Sequence, residues 1–381
     1  RGVHQQRADR DTAGGATGGA SVEPRSGDAE PGWATRESGC VRVRRQLLIL
    51  GGAMALAIVA GGFWLRSYLY TPLPVSADGY RLEVPAGASL GSVAQQLAAD
   101  GIISVPGVLA LYGRLSGQAS RIKAGEYVLN TGLTAHALLA ELVAGRVRLH
   151  SFTLVEGWTV METVAALHKS AAIRKTLAPA DATALAGQLG LGFPSAEGQF
   201  LPETYLFPRG TTDADLLRMA HAAMQDALST AWEGREPGLP LRSSQELLVL
   251  ASIIERETAL AAERPLIAGV FMRRLEKGML LQTDPSVIYG LGAQFDGNLT
   301  RRHLETDTPW NTYTRPGLPP TPIASPGVDA LLAAAHPAPG TALFFVATGR
   351  GDGSHRFSTT LAEHQKAVRL YLAALRAQPR Q

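Results

Sequence analysis

The longest apolar stretch of the chain lies near its beginning. Residues 47–65 form an uninterrupted run of apolar and glycine residues, long enough for a helix to span a hydrocarbon core of about 30 Å. The run exceeds a signal-peptide core and no A-x-A-like site follows, so it favours a spanning anchor at 46–66 over a cleaved signal or a buried helix. Three arginines precede it and only Arg66 follows closely, which predicts a cytoplasmic N-terminus.

The segment before this anchor has a different pattern. Residues 1–45 carry few large apolar side chains and bury too little surface to offset the entropy of ordering, so we predict a disordered cytoplasmic segment. The chain as a whole is 45% hydrophobic and 18% charged, as expected for a globular protein. Its formal net charge of +3 is too small to indicate a nucleic-acid partner.

Two stretches beyond the anchor repeat one scheme of apolar and polar positions. Each places a β-prone segment before the pattern G-x-[ST]-[LV]-x(6)-L, first at Gly87–Leu97 and again at Gly157–Leu167. A Ser or Thr before apolar residues at helical spacing predicts a capped amphipathic helix. Strands are predicted at Tyr80–Val84 and Gly125–Leu129, and a further helix at Thr134–Ala144.

The first of these units resembles the LysM-like module of peptidoglycan-binding proteins. The resemblance implies a LysM-like membrane-proximal domain at 67–150, followed by a mixed catalytic domain at 151–378. The alternative is a βα spacer that binds no glycan. Either way the expected fold class is α+β.

One predicted helix carries an acid on its apolar face. Ser243 and Glu246 form a capping box and Pro265 ends the apolar run, which predicts a helix from Glu246 to about Glu263. On this helix the neighbours of Glu257 at helical spacing are all apolar, whereas Glu255 projects roughly 160° away, toward water. The apolar neighbours are Leu250, Ile253, Ile254, Leu260 and Ala261.

This setting predicts a chemical role for Glu257. Burial disfavours the charged form of a carboxyl group, so Glu257 is expected to stay protonated near neutral pH, as a general acid for a glycosidic oxygen must. The alternative is an acid at the edge of a core, paired with Arg256 or Arg264.

Three segments around this helix resemble the signature segments of the endolytic murein transglycosylase (YceG-like) family: Ala251–Thr258, Leu281–Gly290 and Asn311–Tyr313. The likeness extends over nearly all of residues 80–375. It implies that the catalytic glutamate is the one before Thr258, which the helical pattern selects independently. It also implies a bacterial inner-membrane protein whose catalytic domain lies in the periplasm and acts on peptidoglycan glycan strands.

Polar residues after the next helix are candidates for sugar binding. That helix is predicted to end at Gly278, which places Gln282, Thr283, Asp284 and Tyr289 in an exposed return loop. Their amide and hydroxyl groups suit the N-acetyl and hydroxyl groups of the sugars, and tyrosine rings suit a pyranose face. The alternatives are a helix cap for Asp284 and a core position for Tyr289.

A second set of candidates comes from other parts of the chain. Asn311 and Tyr313 lie in the proline-rich run at 310–326, which is predicted to be a rigid loop lining a groove. The family resemblance places Glu203 near the cleft, where the alternative is a capping or ion-pairing role. Near the C-terminus, Ala342–Ala347 is predicted to be a buried strand and Thr360–Leu375 a closing helix.

No pattern indicates a metal or a cofactor. The histidines at 336, 355 and 364 lack metal-ligand spacing and companion cysteines. A nucleophile elbow, a phosphate loop and a Cys–His pair are also missing from the sequence. We therefore expect neither a metal nor a cofactor.

One acid in an apolar setting favours cleavage without water. Hydrolases normally place two carboxylates around the bond. A single glutamate is enough if it protonates the glycosidic oxygen between N-acetylmuramic acid and N-acetylglucosamine. It then accepts the proton of the muramic C6 hydroxyl, which closes on C1. The expected activity is that of a lytic transglycosylase leaving 1,6-anhydro ends and terminating nascent strands, and the family resemblance implies that it acts endolytically.

Two other functions stay open from the sequence. A hydrolytic muramidase would use Glu257 with Glu203 or Asp284 as a second carboxylate. A non-enzymatic glycan-binding scaffold would recruit wall-synthesis proteins. Penicillin-binding synthases are expected partners because the enzyme would terminate the strands that they make.

Overall fold

The computed structural model describes residues 34–377 of the chain, which fall into two units that meet between Leu69 and Tyr70. The first consists of helix α1, Ala34–Tyr70, whose part Val43–Tyr70 is long and apolar enough to cross a membrane. This is compatible with the predicted single-pass anchor. The helix also includes residues 34–45, for which disorder was predicted. Once an apolar helix is nucleated, residues before it can extend the helix without a second nucleation cost.

The second unit begins with the two strands and helices that the sequence predicted. β1 pairs antiparallel with β2, with Leu82 opposite Tyr127, and both of these side chains are buried. Ser89 and Thr134 cap the two predicted helices through their hydroxyls. The elements are β1 (Tyr80–Val84), α2 (Leu90–Ala99), α3 (Pro106–Leu115), β2 (Gly125–Leu129) and α4 (Ala135–Ala144).

The rest of the unit is mainly helical, with two further antiparallel strand pairs, β3–β4 and β5–β6. Its elements are β3 (Leu149–Thr153), α5 (Val160–Leu167), α6 (Ala182–Leu189), β4 (Thr204–Pro208), α7 (Asp213–Glu233), α8 (Ser244–Glu257), α9 (Arg264–Glu276), α10 (Asp284–Leu291), α11 (Arg301–Glu305), α12 (Val328–Ala335), β5 (Phe344–Ala347), β6 (His355–Ser358) and α13 (Leu361–Ala377). The mixed helix-and-sheet architecture is therefore confirmed.

Two apolar clusters hold these elements together. One joins α7, α8, α9 and α12, and its members include Leu250, Ile254, Phe271 and Leu331. The other lies between α5, α6, α7 and the β3–β4 strand pair. The middle of α8, residues 247–254, is buried, and the last turn brings Glu257 to a cavity wall.

Several predicted boundaries differ in the structure. Helix α8 ends at Glu257 rather than near Glu263, because Thr258 is extended and its hydroxyl accepts the N–H of Leu260. The strand predicted to be buried covers only Phe344–Ala347, and all four of its residues are partly exposed. The proline-rich run at 310–326 contains no helix or strand, as predicted.

Candidate active site

Glu257 lies at the C-terminal end of helix α8. The helix starts at Ser243, whose hydroxyl accepts the N–H of Glu246 at 3.2 Å, and the residues from 247 to 254 are all buried. The chain leaves the helical conformation at Thr258. Glu257 therefore lies at the end of the helix, where the buried core meets the surface of a cleft. The carboxyl group also lies at the negative end of the helix dipole, which disfavours its ionisation.

The surroundings of Glu257 keep its carboxyl group protonated. Burial raises its pKa to about 8, and the negative charge of Asp284 acts in the same direction. The side-chain hydrogen bond of Thr283 and the charge of Arg274 act in the opposite direction, but they do not outweigh the burial. Glu257 therefore carries its proton at neutral pH, as the helical pattern predicted.

The residues that follow α9 form the wall beside this acid. The hydroxyl of Tyr313 donates to Oδ1 of Asp284 at 2.6 Å. Within the described residues, Gln282 is the one non-glycine residue with a positive φ, at 55°, and its N–H is held by the carbonyl of Thr312. Such strain is concentrated at functional sites in proteins.

A buried guanidinium fixes the shape of this wall. Arg274 is 7% exposed and donates to the carbonyl oxygens of Leu280, Leu281 and Leu343 at 2.7–3.0 Å. Two backbone segments, residues 280–281 and the one that leads into β5, are thus tied to one side chain. The arrangement sets the distance between the Gln282 segment and the start of β5.

Glu257 lines two cavities. The first, of about 750 Å³, includes Glu203, Glu255 and the segment from Thr153 to Gly157. The second, of about 530 Å³, includes Asp284, Tyr313 and strand β5. Two cavities are therefore available to a substrate at Glu257.

The neighbouring acid Glu255 does not face water, so that prediction was wrong. Its side chain is 6% exposed and lies 3.2 Å from the guanidinium of Arg264. Its other oxygen accepts the N–H of Gly327 at 3.0 Å. Burial raises the pKa of Glu255, while the Gly327 N–H and Arg264 lower it. A paired carboxylate of this kind is a structural group rather than a proton donor.

The predicted sugar-binding residues divide into those near Glu257 and those elsewhere. Glu203 lines the first cavity, and Gln282, Asp284 and Tyr313 line the second. Thr283 is 1% exposed beside Glu257, and a hydrogen bond from its side chain lowers the pKa of that acid against the effect of burial.

Asn311 and Tyr289 have other contacts. Asn311 is fully buried, and its amide donates to the carbonyls of His303, Leu304 and Thr306 at 2.7–3.4 Å. Tyr289 lies in α10 rather than in a loop, and its ring is 5.5 Å from that of Trp310. Neither residue lines the two cavities beside Glu257. A direct contact of either with substrate stays a prediction.

A second buried acid was not found from the sequence. Glu197 is 1% exposed and accepts the N–H of Val160 at 3.0 Å and the hydroxyl of Tyr289 at 3.2 Å. Burial raises its pKa to about 7. No periodic pattern surrounds it, so local spacing gave no signal.

Across residues 34–377, no group of three or more His, Cys, Asp or Glu side chains is placed to hold a metal ion.

Comparisons with known proteins agree on one family. The model of the YceG-like family matches residues 82–370. The endolytic murein transglycosylase of Bacillus subtilis (strain 168) is 30% identical over 335 residues, which cover 83% of this chain and 92% of that protein. The enzyme of the same name from Streptococcus pneumoniae (strain D39) is 26% identical over 83% of this chain and 63% of its own length.

A solved structure is also similar. The crystal structure of a putative yceG-like protein from Listeria monocytogenes is 27% identical in sequence and aligns with a TM-score of 0.45. The alignment covers 76% of this chain and 99% of the Listeria chain.

Proposed function

The chain belongs to the YceG-like family, and on that premise we propose that it is an endolytic peptidoglycan lytic transglycosylase whose catalytic acid is Glu257. The observation that carries the assignment of Glu257 is its raised pKa of about 8 at a point where two cavities meet. An endolytic enzyme needs glycan on both sides of the scissile bond, and both sides of this acid are open.

The reaction follows from the two protonation states of Glu257. In the first step the carboxyl group donates its proton to the glycosidic oxygen, so the N-acetylglucosamine leaves as an alcohol while positive charge develops at C1 of the muramic acid. The nearby carboxylate of Asp284 stabilises that charge. In the second step the Glu257 carboxylate accepts the C6 hydroxyl proton, and the C6 oxygen closes on C1.

The walls of the two cavities supply the binding groups. We assign glycan contacts to Glu203 on one side of Glu257, and to Gln282, Thr283, Asp284 and Tyr313 around it. Hydroxyl, amide and carboxylate groups of this kind match the hydroxyl and acetamido groups of amino sugars. For Asn311 and Tyr289 the supported role is to position the loop and helix α10.

The location proposed for this reaction is the periplasmic face of the inner membrane. Helix α1 is the proposed anchor, and the arginines before its apolar part support a cytoplasmic N-terminus. Residues 67–150 are the proposed LysM-like domain and 151–378 the catalytic domain. Penicillin-binding synthases remain the proposed partners because this reaction terminates the strands that they make.

The two alternatives are less favoured. A muramidase would use Glu203 or Asp284, which line the cavities beside Glu257, as a second carboxylate, so the ends of the released products separate it from a transglycosylase. A scaffold would not need an acid whose pKa is raised. The relatives in Bacillus and Streptococcus are named as transglycosylases, which also favours the first function.

Product ends distinguish the three functions. The full-length protein in detergent is incubated with purified sacculi, and the released muropeptides are analysed by mass spectrometry. The proposal predicts anhydro-muramic ends, lighter by one water molecule than reducing ends. Reducing ends would establish a muramidase, and the absence of any release, with binding retained, would establish a scaffold.

A further inference from the structure

Strand β5 has an unpaired edge. Within the described residues it pairs only with β6. The bond from Thr348 N to Ser354 O sets the register, so the alternate residues Phe345 and Ala347 point their N–H and C=O groups away from β6. None of the hydrogen bonds of the described chain reaches these four groups.

This edge borders the cavity of about 530 Å³ that Glu257 lines. All four residues of β5 contribute to the cavity wall, although successive side chains point to opposite faces of a strand. Residues of both side-chain orientations therefore line the cavity, so the backbone of β5 borders it together with the unpaired groups of Phe345 and Ala347. His355 of β6 lines the cavity as well.

The opposite wall comes from one face of helix α13. Leu361, His364, Val368 and Tyr371 recur at helical spacing and line the cavity. Nδ1 of His364 is buried there and has no hydrogen-bond partner in the described chain. Aliphatic side chains beside unpaired donors and acceptors suit a chain of amides with small apolar side groups.

The aromatic ring at the start of β5 is not available to stack on a sugar. Phe344 is stacked on the His364 ring at 5.1 Å, and the guanidinium of Arg274 lies 5.1 Å from its centroid. Stacking on a pyranose needs a free ring face. This part of the cavity therefore favours a peptide over a further sugar.

We propose that the edge of β5 binds the stem peptide of the muramic acid residue beside the scissile bond, as an added strand. The inference rests on the proposed function, because it names a further part of the same substrate. The outward groups of Phe345 and Ala347 repeat every two residues, about 6.6 Å, which is the repeat of an extended peptide. A glycan presents acetamido groups on one side only once per disaccharide, and that repeat is longer than the repeat of the outward groups of β5. Main-chain hydrogen bonds to an open edge provide the affinity.

The test removes one edge donor without changing the β5–β6 ladder. Ala347→Pro deletes the outward N–H, and proline is tolerated at such edge positions. Ala362→Pro, in the first turn of α13 where no helical bond is lost, is the matched control. Each full-length protein in detergent is assayed on uncrosslinked glycan strands with stem peptides and on the same strands after amidase treatment.

The expected result is selective. Ala347→Pro should lower kcat/KM on peptide-bearing strands by about five- to tenfold, the effect of one hydrogen bond, and leave peptide-free strands within about twofold. Equal losses on both substrates, or no loss on either, would overturn the inference. If the wild type cleaves neither substrate, the proposed function fails and this inference fails with it.

A second measurement covers the case in which Ala347→Pro does not fold. Full-length Glu257→Gln is mixed with peptide-bearing or peptide-free glycan fragments, and hydrogen exchange is followed by mass spectrometry. Slower exchange in residues 343–348 with peptide-bearing fragments alone supports the inference. The same exchange with both fragments contradicts it.

Discussion

The hydroxyl of Tyr313 donates a hydrogen bond of 2.6 Å to Oδ1 of Asp284, in the cavity that Glu257 lines. The bond holds an exposed carboxylate beside a buried carboxyl group. The charge on Asp284 raises the pKa of Glu257 beyond the effect of burial, while Arg274 lowers it. The protonation state of the proposed catalytic acid is therefore set by burial together with Asp284, Thr283 and Arg274.

Removing the charge on Asp284 should move the pH dependence of the reaction. In Asp284→Asn the pKa of Glu257 falls, yet stays above its usual 4.5 because the burial is unchanged. The protonated acid is then lost at lower pH, so the alkaline limb of the kcat profile shifts toward acid. At pH 8 we expect kcat to fall by about three- to tenfold.

Asp284→Glu is the control, because it keeps the charge and should keep the alkaline limb near its wild-type position. An unchanged limb in Asp284→Asn would show that Asp284 does not act on Glu257 through its charge.

Breaking the buried ion pair of Glu255 should affect stability more than chemistry. Glu255→Gln leaves Arg264, whose side chain is 9% exposed, without its most buried partner, although Asp329 still accepts from it at 3.1 Å. We expect the free energy of unfolding to fall by about 2–3 kcal/mol. The measurement is denaturant unfolding of the full-length protein, followed by circular dichroism.

The control for this variant is Glu305→Gln, which breaks an exposed pair with Arg301. That change should cost under about 0.5 kcal/mol. Equal losses in the two variants would contradict a special role for burial at Glu255.

The buried acid Glu197 should make the protein less stable as the pH rises. Its pKa is about 7 in the folded chain and 4.5 in the reference state, so the folded state binds more protons between these values. Stability is then greatest below pH 4.5 for this group and declines as the pH rises to about 7. Glu257 contributes in the same direction up to about pH 8.

Thermal unfolding from pH 5 to 8 tests this linkage. The melting temperature of the wild type should fall across the range, and Glu197→Gln should remove part of the slope. Gln keeps an acceptor for the Val160 N–H and a group that can bond the Tyr289 hydroxyl. A slope identical to that of the wild type would show that Glu197 does not change its proton on unfolding.

The residues that the sequence could place are those governed by short spacing. The alternation of apolar and polar residues predicted the exact bounds of strands β1 and β2. The apolar positions on α8 selected Glu257. The same helical pattern misplaced Glu255, because it assumes that the helix face opposite the apolar one is exposed to solvent. In the folded chain that face is covered by Arg264 and Gly327, which come from other segments.

Long-range contacts explain what the sequence missed. Glu197 is buried by partners 37 and 92 residues away, Val160 and Tyr289, and no local pattern encodes either contact. The unpaired edge of β5 could not be predicted from the sequence either, because the composition of this segment predicts a buried strand. The pairing that leaves it open depends on where β6 and α13 pack.

The most direct test of the account is the release of anhydro-muropeptides by full-length Glu257→Gln, compared with the wild type on the same sacculi. Gln has the same shape but carries no acidic proton, so the variant should fold as the wild type does and lose at least about a hundredfold in rate. A folded Glu257→Gln protein that still releases anhydro products at the wild-type rate would contradict the assignment of Glu257 as the catalytic acid.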